Sequence, residues 1–141
     1  MLPQKRRPAG EYGQQRIFID LDNFKHINDT HGHMIGDQII QTISSGLKRI
    51  CRKSDIVGRF GGDEFFILLR GIEGEEALVS KIDRIRQIKS DCCTVTMSIG
   101  ASIYPDNAQT FQQLFETADK ALYAAKESKN DYTLYSSISP R

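Results

Sequence analysis

The chain has 141 residues, 26% of them charged and 39% hydrophobic, and a formal net charge of +1. That length supports one domain with a real core and is short for two. The balance excludes a disordered or membrane-embedded class, and the near-neutral charge supplies no global attraction to nucleic acid or to a membrane surface. No apolar run approaches a membrane span and no signal peptide is expected ahead of the fold, so a cytoplasmic protein without membrane contact is expected. Cys51 and the adjacent Cys92 and Cys93 lack metal-ligand spacing and are expected to be reduced packing thiols.

In chain order, residues 1–15, MLPQKRRPAGEYGQQ, hold two prolines and two glycines and predict a polar arm. RIFIDL (16–21) is a short apolar strand. NFKHINDTHGH (23–33) predicts a helical turn closed by Gly32, followed from Gly36 by a longer helix with Ile39, Ile40, Ile43, Leu47 and Ile50 on one face. DIVGRF (55–60) and EFFILL (64–69) are strands separated by Gly61-Gly62, a hairpin signal. Leu78, Ile82 and Ile85 mark a further helix.

CTVTMSIGASIY (93–104) is rich in strand formers and is stopped by Pro105-Asp106-Asn107. Phe111, Leu114, Phe115, Ala118, Leu122 and Ala125 outline the clearest helix face, and DYTLYS (131–136) predicts a last edge strand. The order β-α-α-β-β-α-β-α-β implies an α+β fold, a mixed central sheet flanked by helices, over residues 16–136 with a short tail at 137–141.

Asp20 ends the first strand, and Asp63 and Glu64 begin the strand after the glycines. If those strands are neighbours, Asp20 and Asp63 converge at one edge of the sheet. Carboxylates joined by a backbone carbonyl make a hard oxygen site suited to Mg²⁺, which keeps few protein ligands beside substrate phosphates. Two such ions about 4 Å apart suit attack of a hydroxyl on phosphorus. Gly61 and Gly62 allow positive φ and close approach of a ligand to the backbone. The plain alternative is a hairpin with solvated acids. Phe60, Phe65 and Phe66, which suggest a buried neighbourhood, weigh against it, as does the second acid at Asp20.

Four segments in order, FIDLDNFKHINDTHGHMIGD (18–37), DIVGRFGGDEFFILL (55–69), VTMSIGAS (95–102) and ADKALYAAKESKN (118–130), resemble the GGDEF family of diguanylate cyclases. The resemblance covers residues 16–136. It implies a fold similar to the palm of polymerases and nucleotide cyclases. It also implies condensation of two GTP into cyclic di-GMP and two pyrophosphates, in a homodimer whose subunits each present one GTP.

By position in the motifs, Asp20, Asp63 and the main-chain carbonyl of Leu21 would hold Mg²⁺, with Mn²⁺ as the alternative and two ions per half-site. Glu64 would assist the metal. Asp63 would also help deprotonate the hydroxyl. Asn23 and Phe24 would offer backbone N–H groups to phosphate at a helix start, with Lys25 adding charge and Gly62 leaving room. Asn28 and Asp37 match the positions that read guanine, although Asn28 alone suits a helix cap equally. Lys126 matches the triphosphate-binding lysine. In AKESKND the family's glycine is absent and Lys129 stands where the family has arginine, a less forked ligand.

His26, His31 and His33 do not have spacing that brings all three together, and no histidine metal site is expected.

RKSD (52–55) ends five residues before Gly61, the family's spacing for a product-binding site. The resemblance assigns Arg52 and Asp55 to cyclic di-GMP, with Arg84 as a secondary contact. A solvated turn is the plain reading of the four residues alone. Three departures from the family pattern stand out: a missing first helix, a short hairpin between Ile88 and Thr94, and the absent glycine after Lys126. They keep a second expectation open, a catalytically silent domain that senses GTP or cyclic di-GMP or serves dimerisation.

Overall fold

Alternation along the first strand builds two cores. In β1 (Gln14–Leu21), Ile17, Ile19 and Leu21 point to one face of the sheet, and Arg16, Phe18 and Asp20 to the other. The computed structural model describes residues 13–71 and 74–139. After β1 come α1 (Phe24–His31), α2 (His33–Ile50), β2 (Ile56–Gly61), β3 (Glu64–Arg70), α3 (Gly74–Arg86), β4 (Met97–Ile103), α4 (Phe111–Ser128), β5 (Asp131–Leu134) and α5 (Tyr135–Ile138). The sheet order is β2-β3-β1-β4-β5, antiparallel except for the parallel β4–β5 pair. This is the mixed, helix-flanked α+β architecture that the sequence predicts.

The larger core joins Ile17, Ile19, Ile67, Leu69 and Ile99 of the strands to Ile39, Ile43 and Leu47 of α2 and Leu78, Ile82 and Ile85 of α3. On the opposite face α4 packs on β4, β5 and β1. Gly100 makes that approach possible, since a β-carbon there would lie 2.0 Å from the Leu122 nitrogen and 2.7 Å from the Ala118 carbonyl oxygen. A buried hydroxyl pair, Ser102 and Thr117 at 2.6 Å, adds a polar tie across the same contact. Among the described residues no helix is long and apolar enough to cross a membrane.

Several boundaries differ from the sequence reading. The strand β1 begins at Gln14, inside the expected arm, because the Gln14 carbonyl accepts the Tyr104 N–H at 2.7 Å and pairing runs on to Arg70. Residues 1–12 of that arm lie outside the described residues. The helix α2 starts at His33 rather than Gly36, since Gly32 (φ 90) ends α1 and opens α2 in one residue. Residues 88–96 form neither strand nor helix, so the short hairpin expected between Ile88 and Thr94 is a loop and β4 starts only at Met97. The last strand is four residues long and turns into α5, which the sequence reading did not contain.

Gly100→Ala should lower unfolding stability by at least about 2 kcal/mol in urea denaturation followed by circular dichroism, because the new methyl must push α4 off β4. A loss below about 0.5 kcal/mol would mean that this contact has slack.

Candidate active site

Sheet register sets the first pair of acids. β1 lies between β3 and β4, with Asp20 opposite Glu64, and the Leu21 N–H donates to the Asp63 carbonyl at 3.1 Å. Asp20 and Asp63 therefore meet where these neighbouring strands end, midway along the strand order. The turn itself is Gly62–Asp63, and Gly61 is still paired with Glu64 after a bulge that follows Arg59. Gly61 (φ 125) and Gly62 (φ 55) both need glycine's conformational freedom, and a β-carbon at either would meet nothing within 4 Å. The acids thus sit beneath an open turn, which the Arg59 Nε ties down on the Gly62 carbonyl at 3.1 Å. Phe65 is buried and anchors it, but Phe60 is half exposed, so the neighbourhood is less enclosed than the three phenylalanines suggest.

Lys126 reaches down from the last turn of α4 and forms an ion pair with Asp20. Burial pushes the Asp20 carboxyl above its ordinary range; the hydrogen bond from Lys126 opposes this, and the charge of Asp63 adds to it. Burial by itself would lower the Lys126 pKa, yet the hydrogen bond and charge of Asp20, with Glu64 and Asp63 behind it, leave it raised. Burial leads the rise at Asp20 and the nearby acids lead the rise at Lys126, so both groups favour their protonated forms. One lysine does not neutralise this cluster.

Among the described residues no three His, Cys, Asp or Glu side chains are grouped to hold a metal ion. Asp20 and Asp63 with the Leu21 carbonyl still fit Mg²⁺, which completes its shell with water and phosphate oxygens. Glu64 faces a neighbouring cavity and reaches this cluster through its charge on Lys126.

Asp22, which the sequence reading passed over, organises the surroundings. Its buried carboxylate accepts Thr96 Oγ1 and Ser98 Oγ, each at 2.6 Å, and the Asn130 N–H at 2.8 Å. That last bond holds a bend in which Lys129 (φ 57) and Asn130 (φ 47) are both left-handed. The bend aims Lys129 Nζ at Asn23 Oδ1, 2.9 Å away. The partners of Asp22 lie more than seventy positions along the chain, so no local signal in the sequence pointed to it.

Asn23, itself left-handed (φ 56), precedes α1 without capping it, so no side chain covers the first N–H groups beside Phe24 and the exposed Lys25. Further along α1, Asn28 Oδ1 is buried with no hydrogen-bond partner among the described residues, packed where a β-carbon on Gly36 would come within 1.8 Å. Exposed Asp37 is the next residue. The structure thus gathers Asp20, Asp63, Asn23, Lys126 and Lys129 around one point, with Asn28 and Asp37 sharing the α1–α2 junction.

Arg52, Asp55 and Arg84 lie elsewhere. Asp55 accepts the Arg52 N–H at 2.8 Å and the Arg70 N–H at 3.2 Å, at the far end of β3 from Glu64. Seven strand residues separate the two places by roughly 20 Å. The Asp55 side chain is fully buried while that of Arg52 is 54% exposed, its Nη2 donating to the Arg70 carbonyl at 2.5 Å. Burial raises the Cys51 thiol pKa and nearby Asp55 adds to this, while Lys81 and Arg84 oppose it, which places Arg84 in the same neighbourhood.

The family described as "Diguanylate cyclase, GGDEF domain" matches residues 4–132. The diguanylate cyclase TpbB of Pseudomonas aeruginosa is 37% identical over 135 residues, 89% of this chain and 31% of TpbB. The solved GGDEF domain of TpbB superposes with a TM-score of 0.83 at 32% identity, covering 89% of this chain and 78% of that one. The GGDEF domain of DgcB from Caulobacter crescentus, solved in complex with c-di-GMP, gives 0.78 at 28% identity, covering 90% and 80%. This chain therefore spans less than a third of TpbB.

Replacing Asp22 by alanine should cost about 3 kcal/mol in chemical denaturation, since two hydroxyls and a part-buried N–H lose a charged acceptor at once. Unchanged stability would show that the Lys129–Asn130 bend holds without it.

Proposed function

The chain belongs to the GGDEF diguanylate cyclase family, and from that premise we propose that it condenses two GTP into cyclic di-GMP, releasing two pyrophosphates. The observation that carries the proposal is the convergence of Asp20 and Asp63 at neighbouring strand ends beside an open glycine turn, with Lys126 paired to Asp20. A bound Mg²⁺ or Mn²⁺ supplies charge neutralisation there and lowers the pKa of an attacking hydroxyl. Asp20, Asp63 and the Leu21 carbonyl would hold two such ions per half-site.

The remaining work falls to the chain's own groups. Asp63 accepts the proton of the ribose 3′-hydroxyl, whose oxygen bonds to the α-phosphorus of the other GTP as the bond to pyrophosphate breaks. Lys126 and Lys129 attract the triphosphate, and uncapped N–H groups beside Asn23, Phe24 and Lys25 accept an anion at the start of α1. The open Gly62 turn leaves a phosphate room. The partnerless Asn28 oxygen and the Asp37 carboxylate provide acceptors for guanine's N1–H and N2 donors. Asp20 chiefly holds Lys126 protonated, Glu64 adds its charge, and Glu64 would assist the metal.

Each 3′-hydroxyl attacks the nucleotide of the other subunit, so the active species is an antiparallel homodimer in the cytoplasm. Product returns to the far end of β3. There exposed Arg52, with Arg84, contacts cyclic di-GMP and buried Asp55 holds the shape of the turn. A silent domain that binds GTP or cyclic di-GMP without turnover is the second reading. It is favoured by Lys126 already engaging the ligand residue Asp20.

Incubation with GTP and Mg²⁺, as the free chain and fused to a forced dimer, separates the two. The dimer should make cyclic di-GMP, and Asp63→Ala should slow it by about 100-fold or more. Arg52→Ala should keep the initial rate and raise the product concentration needed for inhibition by about tenfold, the loss of one charged contact. A dimer that binds GTP and makes no product would establish the silent reading.

A further inference from the structure

Arg16 occupies the middle of β1 on the α4 side, yet is only 7% exposed. Its guanidinium carbon stands 5.3, 5.5, 5.0 and 5.2 Å from the ring centres of Phe18, Phe66, Phe111 and Phe115. Nε and Nη1 are buried with no hydrogen-bond partner among the described residues. Four ring faces attract a cation, but they do not replace the directional acceptors that a guanidinium loses on leaving water. An acceptor is wanted here.

The rings around it are not themselves covered. Phe60 is 51% exposed, Phe111 57% and Phe115 39%. Phe60 packs on Phe18, Phe66 and Phe115 with ring centres 5.6, 4.7 and 5.9 Å apart. The helix α4 lies on β4, β5 and β1, while over β2 the Phe66 ring fills the space above Gly58. Between Phe60 and α4 is a cavity of about 230 Å³ whose rim includes Phe115, Asp119 and Glu64. Among the described residues, half of this sheet face thus lacks a second layer.

We propose that this face docks an amphipathic helix of another polypeptide, which presents a carboxylate to Arg16 from among apolar side chains that cover Phe60, Phe111 and Phe115. The charge decides the occupant. A second copy would set one Arg16 cluster against another and double the cation to be neutralised. Residues 1–12 carry Lys5, Arg6 and Arg7 against Glu11 alone, with prolines at 3 and 8, so their composition does not answer a buried cation. The geometry decides the form. Arg16 lies two strands in from the β2 edge, roughly 10 Å, so a strand added at that edge stops short of it. A helix laid beside α4, at the usual 8–10 Å spacing, passes over it. The proposal stands apart from the cyclase reading, and its test needs no nucleotide.

The probe is a synthetic helical peptide of about 18 residues, long enough to cross the strands, with a leucine stripe at i, i+3, i+4, i+7 and one glutamate within it. A control peptide has glutamine in place of the glutamate. Fluorescence anisotropy with the full 141-residue chain should show the glutamate peptide binding at least about tenfold tighter than the control. Arg16→Met should remove that difference, and Phe60→Ser, a change at a half-exposed position, should weaken both peptides.

Equal affinities for the two peptides overturn the proposal, as does absence of saturable binding up to about 1 mM. So does binding indifferent to Phe60→Ser. Self-association of the chain that Phe60→Ser abolishes would assign the face to a second copy, and tighter peptide binding after removal of residues 1–12 would assign it to that segment. Either result also overturns the proposal.

Discussion

A carboxylate at the end of a buried strand has to be balanced, and here the balance comes from across the molecule. Lys126 descends from α4 onto Asp20, and burial together with the charge of Asp63 keeps that carboxyl hungry for a cation. Much of the structure around the site serves this one contact. Gly100 lets α4 close on β4, and Asp22 pins the residues after α4 so that Lys129 follows Lys126 toward the same point. The glycine turn leaves the acids open from above. A single ammonium satisfies Asp20 only in part. In the proposed function a divalent ion with a triphosphate would supply the balancing charge.

In the proposed function the same strands would separate a substrate site from a product site. β3 runs from Glu64, beside the acids, to Arg70, whose N–H and C=O groups are taken by Asp55 and Arg52. A ligand that shifts the 52–55 turn therefore pulls on the backbone of the strand that carries Glu64. The aromatic face around Arg16 lies on the side of the sheet that α4 covers, and its cavity shares Glu64 with the active site.

Much of this was legible in the sequence because periodicity reports faces. Ile39, Ile43 and Leu47 placed α2, Leu114, Ala118, Leu122 and Ala125 placed α4, and the GGDE turn was marked by residues with few other uses. Pairings over long sequence separations were not legible. Asp22 draws on residues more than seventy positions away, so its neighbours alone did not reveal it. The sequence suggests one buried neighbourhood for Phe60, Phe65 and Phe66, but the three rings do not share it. Strand alternation and the bulge after Arg59 sent Phe65 inward and left Phe60 half outside. Arg16 looked like the polar start of a strand, and only the fold shows it enclosed by rings.

The central claim, that Asp20 and Asp63 form a metal–nucleotide site which Lys126 serves, is tested most directly by a crystal structure with Mg²⁺ and a non-reactive GTP analogue. The account predicts an ion on both carboxylates at about 2.1 Å, Lys126 transferred to a phosphate oxygen, and guanine against Asn28 and Asp37. A nucleotide bound elsewhere, or Lys126 still paired with Asp20 and no ion between the acids, would contradict it.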